Sequence, residues 1–377
     1  MRAFLSTAAL AAALMVPAVP ALADAERLEA DLRALFEGRG ELTLDEVSTS
    51  LFGGETRAEG LRFSGDDGER LWVERYVVVG DYDAPDAVTL EGVRLEGDVE
   101  ELEAPLTIAV EGVVLAAPSR AVPPRDDEAR EQAWFDGLTL TTLAVEHREE
   151  RLASLERLSF DTDFADGEGR LQLDALALDL DRLVALSPEE ERTRLRMASN
   201  VLTDGSGELR LDAAFDARWE PEGEGEGRLL SDGDLTLRDG LVLGIDLESL
   251  LALPEGSDAA DLMAEGTLLE EAALGGGRFE LRLAERGLFD RLATLGATLE
   301  GIGKAQYLEQ ARTQAEGFGM MFGPQVRDLL NGLVDLMAGG AESLVVTLDL
   351  PAEERLERFA EDPLALPERF AMRVETR

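Results

Sequence analysis

The chain has 377 residues, with 79 Asp and Glu against 36 Lys and Arg and a formal net charge of −43. That charge repels nucleic acid and anionic lipid headgroups, so no nucleic-acid partner is expected. Cysteine is absent and His147 is the single histidine, which argues against disulfides, thiolate nucleophiles, metal centres and bound cofactors such as haem.

The first residues, "MRAFLSTAALAAALMVPAVPALADAE", have the form of a secretory signal peptide. Arg2 supplies the positive end, Ala3 to Val16 the apolar stretch, and Ala21-Leu22-Ala23 the small-x-small cleavage box. The expectation is a leader over 1–23, a mature start at Asp24, and a periplasmic or secreted protein. No later stretch is apolar enough to span a bilayer, so an integral membrane protein is not expected.

Residues 24–39 predict an amphipathic helix, with Leu28, Leu32, Leu35 and Phe36 on one face. Beyond it the pattern is strand-like for roughly 250 residues. Runs such as Leu71 to Val79, Leu138 to Val145 and Leu171 to Leu180 alternate as half-wet antiparallel strands do. In "GELRLDAAFDARWE", Leu209, Leu211, Ala213, Phe215, Ala217 and Trp219 share one face. The charged, Pro-containing stretch 117–132 reads as a long loop or linker.

One element recurs: "AEGLRF" (58–63), "LEGVRL" (90–95), "VEGVVL" (110–115), "FDGLTL" (135–140) and "RDGLVL" (238–243). In each the apolar phase slips by one residue at the acid-Gly pair, and Asp174-Ala175 does the same. Two-residue hairpins there would leave strands of about three residues. Bulges with glycine in the left-handed region keep one longer strand and bend it. Bulges are the preferred reading, and strands bent at several places predict a curled sheet.

His147, in "AVEHREERL", reads as a solvated strand end rather than a catalytic base. In "DTDFADGEG" (161–169), the acids and glycine fall one place late for a calcium loop, and the twelfth position is Gln172; a hairpin turn is expected. Neither a P-loop nor a G-x-S-x-G motif is present, and paired carboxylates carry no information in so acidic a chain. The acid is spread evenly, which reads as adaptation to salt rather than as a partner surface.

From 286 the pattern turns helical, over 286–301, 303–323 and 324–340. A strand (344–350), a helix from Pro351 to Asp362, and a final strand near Phe370 to Val374 follow. The expected fold is α+β: an N-terminal helix and a curled, many-stranded antiparallel sheet or open trough over 24–285. A helix-rich segment, 286–377, packs on it as part of the same fold.

The stretch "GDLTLRDGLVLGIDLESLLAL" (233–253) resembles a strand, D-G, G-I-D-L, helix signature of the AsmA-like family of bacterial envelope proteins, through Asp239-Gly240 and Gly244-Ile245-Asp246-Leu247. The resemblance covers about twenty residues. It implies a curved β-sheet with an apolar groove and a link to lipid transport between membranes. Family members usually keep an N-terminal membrane helix and are much longer. The C-terminal part, from "GLFDRL" to "SLVVTLDLP", also resembles uncharacterised secreted proteins of proteobacteria.

The expectation is therefore a non-enzymatic periplasmic protein that holds a lipid or another hydrophobic ligand, with Phe215, Trp219, Leu241, Leu243, Met320, Met321 and Phe322 lining the groove. The alternative is a structural or protein-interaction module of the envelope whose helices fill the trough and whose partner is an envelope protein.

Overall fold

Alternation in the sequence becomes a ladder in which strands pair largely in chain order. The computed structural model describes residues 24–377 other than 51–53, 100, 101, 103, 125–133, 164–166, 224, 255, 258–270 and 356–365. The leader stretch 1–23 and the 125–132 part of the expected linker lie outside the described residues. Helix α1 (Asp24–Phe36) precedes β1 (Gly40–Thr43), β2 (Glu46–Thr49), β3 (Glu55–Gly65), β4 (Arg70–Asp81), β5 (Ala84–Gly97), β6 (Leu106–Ala116), β7 (Gly137–His147), β8 (Glu150–Asp163) and β9 (Glu168–Asp179). Then come α2 (Leu180–Leu186), α3 (Glu189–Thr203), β10 (Glu208–Pro221), β11 (Glu226–Leu237), β12 (Leu241–Ala252) and β13 (Ala273–Glu285). The chain ends with α4 (Leu288–Glu300), α5 (Lys304–Phe322), α6 (Pro324–Ala338), β14 (Ser343–Arg355), α7 (Leu366–Arg369) and β15 (Arg373–Thr376).

The strands form one open, uncurled sheet of 15 strands, with β1 and β2 both on the outer edge of β3. The α+β, mainly antiparallel expectation holds, and the curl does not. The chain divides into two compact units: residues to Asp161 with Asp174–Leu176, and Thr162–Leu173 with Ala177–Arg377.

In the first unit, Leu28, Leu32, Leu35 and Phe36 of α1 are buried against the sheet, each worth about 2 kcal/mol. Phe36 stacks on Phe63 with ring centroids 4.3 Å apart. The rest of this core comes from Ala58, Leu61, Leu71, Val73, Tyr76, Val78, Val88, Leu90 and Val93. These positions straddle the slips seen in the sequence and still meet in one core. On β4 the buried pairs are 71, 73 and then 76, 78; on β5 they are 88, 90 and then 93.

The slips fall on a single line across the sheet. Glu59 pairs Arg75 and Leu61 pairs Val73; Glu91 pairs Gly112 and Val93 pairs Val110; Thr141 pairs Arg157 and Leu143 pairs Leu155. Each ladder skips one residue on both strands and keeps its register. Counting along the registers, the skipped row is Asp45, Gly60, Glu74, Gly92, Glu111, Thr142 and Glu156. Gly60, Gly92 and Thr142, on alternate strands, have φ of +63°, +61° and +51°; Ala175 on β9 has +52°. A Cβ on Gly92 would lie 2.4 Å from Cγ of Glu74, so glycine serves both the left-handed backbone and the passage of that side chain.

This seam is why the curled-sheet expectation fails. A bulge adds a residue to one strand only, and that asymmetry bends the strand. Here both partners slip together, so neither is lengthened relative to the other. True register shifts occur elsewhere, at Val79/Gly80, Val145/Glu146, Leu250/Leu251 and Leu274/Gly275. Identical motifs take different places. Gly60 and Gly92 lie on the seam, whereas in "VEGVVL" the seam residue is Glu111 and Gly112 is paired. In "RDGLVL", Arg238-Asp239-Gly240 is the turn of a hairpin that pairs Leu237 with Leu241.

In the second unit the strands β10 to β12 alternate without a slip. Rows run straight across, as in Phe215, Gly233, Ile245, Leu281, Val346 and Val374. Helix α6 lies over one end: Leu329, Leu333 and Leu336 pack with Leu281, Leu283, Leu344, Val346 and Val374. Three further expectations are corrected. Residues 180–203 are the helices α2 and α3 rather than part of a strand region; Asp179 caps α2 by accepting the Arg182 amide at 3.0 Å. Residues 351–355 continue β14, with Ala352 paired to Gly275 and Glu354 to Leu274, where a helix was expected. Residues 248–252, which the family signature makes the start of a helix, continue β12.

Candidate functional site

The alternation of β10, β11 and β12 sets one apolar face of the second unit. Leu211, Ala213, Phe215 and Ala217 come from β10, and Leu235 from β11; Leu241, Leu243, Ile245 and Leu247 come from β12. Many of their opposite neighbours are charged, which keeps much of the reverse side wet: Arg228 pairs Glu248 at 2.8 Å, and Arg282 pairs Asp246. Phe215 is 39% exposed, and its ring lies over Gly233, where a Cβ would meet the ring at 2.6 Å. Ala213, Leu235, Leu241, Leu243, Ile245 and Leu247 are half-buried. The helix α6 packs over β13 to β15 and leaves this β10–β12 part partly open.

The seven residues expected to line a groove do not act as one set. Phe215, Leu241 and Leu243 share the partly open face. Trp219 is buried, packed with Leu229, Leu251 and Leu274, and serves the core. Met320 and Met321 are 85% and 66% exposed at the end of α5, and Phe322 is half-buried beside them. Helix α5 packs on α4 and α6, and among the described residues no apolar cluster joins these three to Phe215. Strict alternation did identify the sheet face; it could not tell a covered tryptophan from a partly open phenylalanine four residues away.

A polar cluster in the first unit went unforeseen. Asp31 is buried on α1 and accepts a hydrogen bond from the Tyr82 hydroxyl at 2.8 Å. Burial raises the Asp31 carboxyl above its ordinary range, against the opposing effects of the Tyr82 hydrogen bond and of Arg27. Burial, and then the bond to Asp31, push the Tyr82 phenol well up. Arg27 stacks over the Tyr82 ring at 4.5 Å and pairs with Asp83 at 2.5 Å; its hydrogen bond holds that exposed carboxyl low. The cluster ties the first turns of α1 to the β4–β5 turn. Its only sequence signal was a charge at Asp31, beside the apolar stripe of α1.

His147 is 6% exposed, and its Nε2 has no hydrogen-bond partner among the described residues. It is not the solvated strand end expected. The slip at Thr142 puts 143, 145 and 147 on the apolar side, a shift that flanking charges do not reveal. No group of three His, Asp or Glu side chains able to hold a metal occurs among the described residues, and the 164–166 part of the calcium-like loop lies outside them. No helix among the described residues is long and apolar enough to cross a membrane.

No protein-family model matches the chain, and the curated proteins contain no match to it.

Proposed function

We propose that this is a non-enzymatic binding protein of the bacterial envelope, periplasmic or secreted, that holds a lipid or other hydrophobic ligand against the β10–β12 face. One observation carries the reading: Phe215 stands 39% exposed in a row of half-buried aliphatic residues that the helices leave partly open. A contiguous apolar patch of this kind costs free energy in water unless a partner covers it. The signal-like leader and the AsmA-like stretch at 233–253 support the envelope assignment and the lipid class, although the strand at 248–252 departs from that signature. The reading rests on an open face and does not require an enclosed trough.

Solvent extraction of the purified protein followed by mass spectrometry, together with uptake of a fluorescent fatty acid, tests it. Co-purifying lipid is expected, and Phe215→Asp is expected to lower uptake about tenfold while the protein stays folded by circular dichroism. Absence of both lipid and uptake overturns it.

A second reading, an interaction module with an envelope protein as partner, is favoured by the uncurled sheet, since an open face suits a broad protein surface. Under that reading Phe215→Asp abolishes co-purification of a partner protein and leaves fatty-acid uptake at background in both forms.

A further inference from the structure

From the α5–α6 hairpin we infer a second apolar contact, with the surface of a neutral lipid bilayer. It deepens the lipid reading above but rests on different residues. The stretch Gly317 to Val326, "GFGMMFGPQV", holds ten consecutive uncharged residues in a chain that is 31% charged. It is the longest uncharged run after residue 23. Helices α4 and α5 pack antiparallel, with Gly296 against the Tyr307 ring and Ala315 buried. That register brings the start of α4 level with Ala315. Residues 316–322 therefore run on past α4 by about 10 Å, at ~1.5 Å per residue.

Beyond that point α6 accompanies α5. A Cβ on Gly319 would lie 2.4 Å from Cβ of Arg327, so the two backbones approach closely. Asn331 donates to Glu316 at 3.4 Å, and Arg312 pairs with Asp335 at 3.0 Å, which fixes the hairpin. Phe318, Met320 and Met321 are left 43%, 85% and 66% exposed around the tip. A groove would suit a small ligand. A tip whose residues 317–326 carry no charge, with Arg327 and Asp328 paired beside it, suits the headgroup–acyl boundary, where flexible methionines adapt to an irregular medium. The net charge of −43 selects the kind of surface: anionic lipid repels this chain, and a zwitterionic bilayer does not.

The test is flotation of the purified full chain with phosphatidylcholine vesicles, with and without phosphatidylglycerol. The protein is expected to float with phosphatidylcholine alone and to bind less as phosphatidylglycerol is added. The pair Met320→Glu and Met321→Glu, both at exposed positions, should reduce flotation at least about tenfold with unchanged Tm, and Met320→Leu should retain it. Failure of the wild type to float, or equal flotation of the double variant, overturns the inference. So does concentration-dependent self-association that the double variant abolishes without any vesicle binding, which would make a second copy the occupant. The outcome separates from the sheet-face reading: the methionine variants leave fatty-acid uptake intact, and Phe215→Asp leaves flotation intact.

Discussion

Asp31 shows how a single buried carboxyl makes stability depend on pH. It is 7% exposed and accepts a hydrogen bond from Tyr82 at 2.8 Å. Its folded-state pKa lies above the ordinary value because burial disfavours the charged form. A raised acid favours folding when protonated. Its contribution is fully present below about pH 3.9, the ordinary Asp value, and is lost as pH rises through the folded-state pKa. Asp31→Asn keeps an acceptor for the Tyr82 hydroxyl and removes the charge. The variant is therefore expected to gain stability relative to the wild type as pH is raised from about 4 to 7. Comparing urea midpoints of the two proteins across that range removes the general effect of the other carboxylates. A difference independent of pH would mean that Asp31 titrates normally in the fold.

At the scale of the element, the seam is the feature that departs from ordinary strand rules. The left-handed state costs a non-glycine residue about 1–2 kcal/mol, so Thr142 and Ala175 are held in it by their neighbours. Gly92→Ala adds that strain and a Cβ against Glu74, and should cost about 1–2 kcal/mol in chemical denaturation. Deleting Gly92 is expected to do far more harm. It leaves β5 one residue short of β4 and β6, which keep their slips, so the pairing of Val93 with Val110 and of Leu95 with Leu71 and Ile108 is lost along the rest of the strand. Equal effects of the two changes would show that the slip can be absorbed locally.

The slips themselves were plain in the sequence, as were α1 and the helices from 288 to 338. Their meaning was not, because one strand cannot reveal whether its neighbour slips with it. Helices α2 and α3 were hidden for a different reason. "LQLDALALDL" alternates up to Leu180, and the leucines of α2 prolong the pattern although Asp179 and Ser187-Pro188-Glu189 carry helix-start chemistry. Residues 351–355 contain good helix formers, yet pairing with β13 decides their state. At the candidate face, Phe215, Leu241 and Leu243 were legible from alternation. The coverage of Trp219 depended on Leu251 and Leu274, remote in sequence.

For the whole molecule, charge is the dominant long-range term. Exposed pairs such as Arg62 with Asp45 and Arg373 with Asp349 contribute about 0–1 kcal/mol each and leave most of the acid unneutralised. Raising NaCl from about 0.01 M to about 1 M shortens the screening length from roughly 30 to 3 Å. The Tm is expected to rise over that range, read by differential scanning calorimetry, and a constant or falling Tm would assign the stability to the surface pairs instead. Strand order has a consequence of its own. From β3 onward each strand lies beside the one made just before it. Most strands therefore find their partner in the next segment made, the β13–β14 pair, which spans three helices, being the longest wait, and local pairing of this kind favours quick assembly for so large a β protein. A polypeptide leaving the ribosome amino end first can thus add hairpins vectorially, each new arrival shielding the raw edge left by the last.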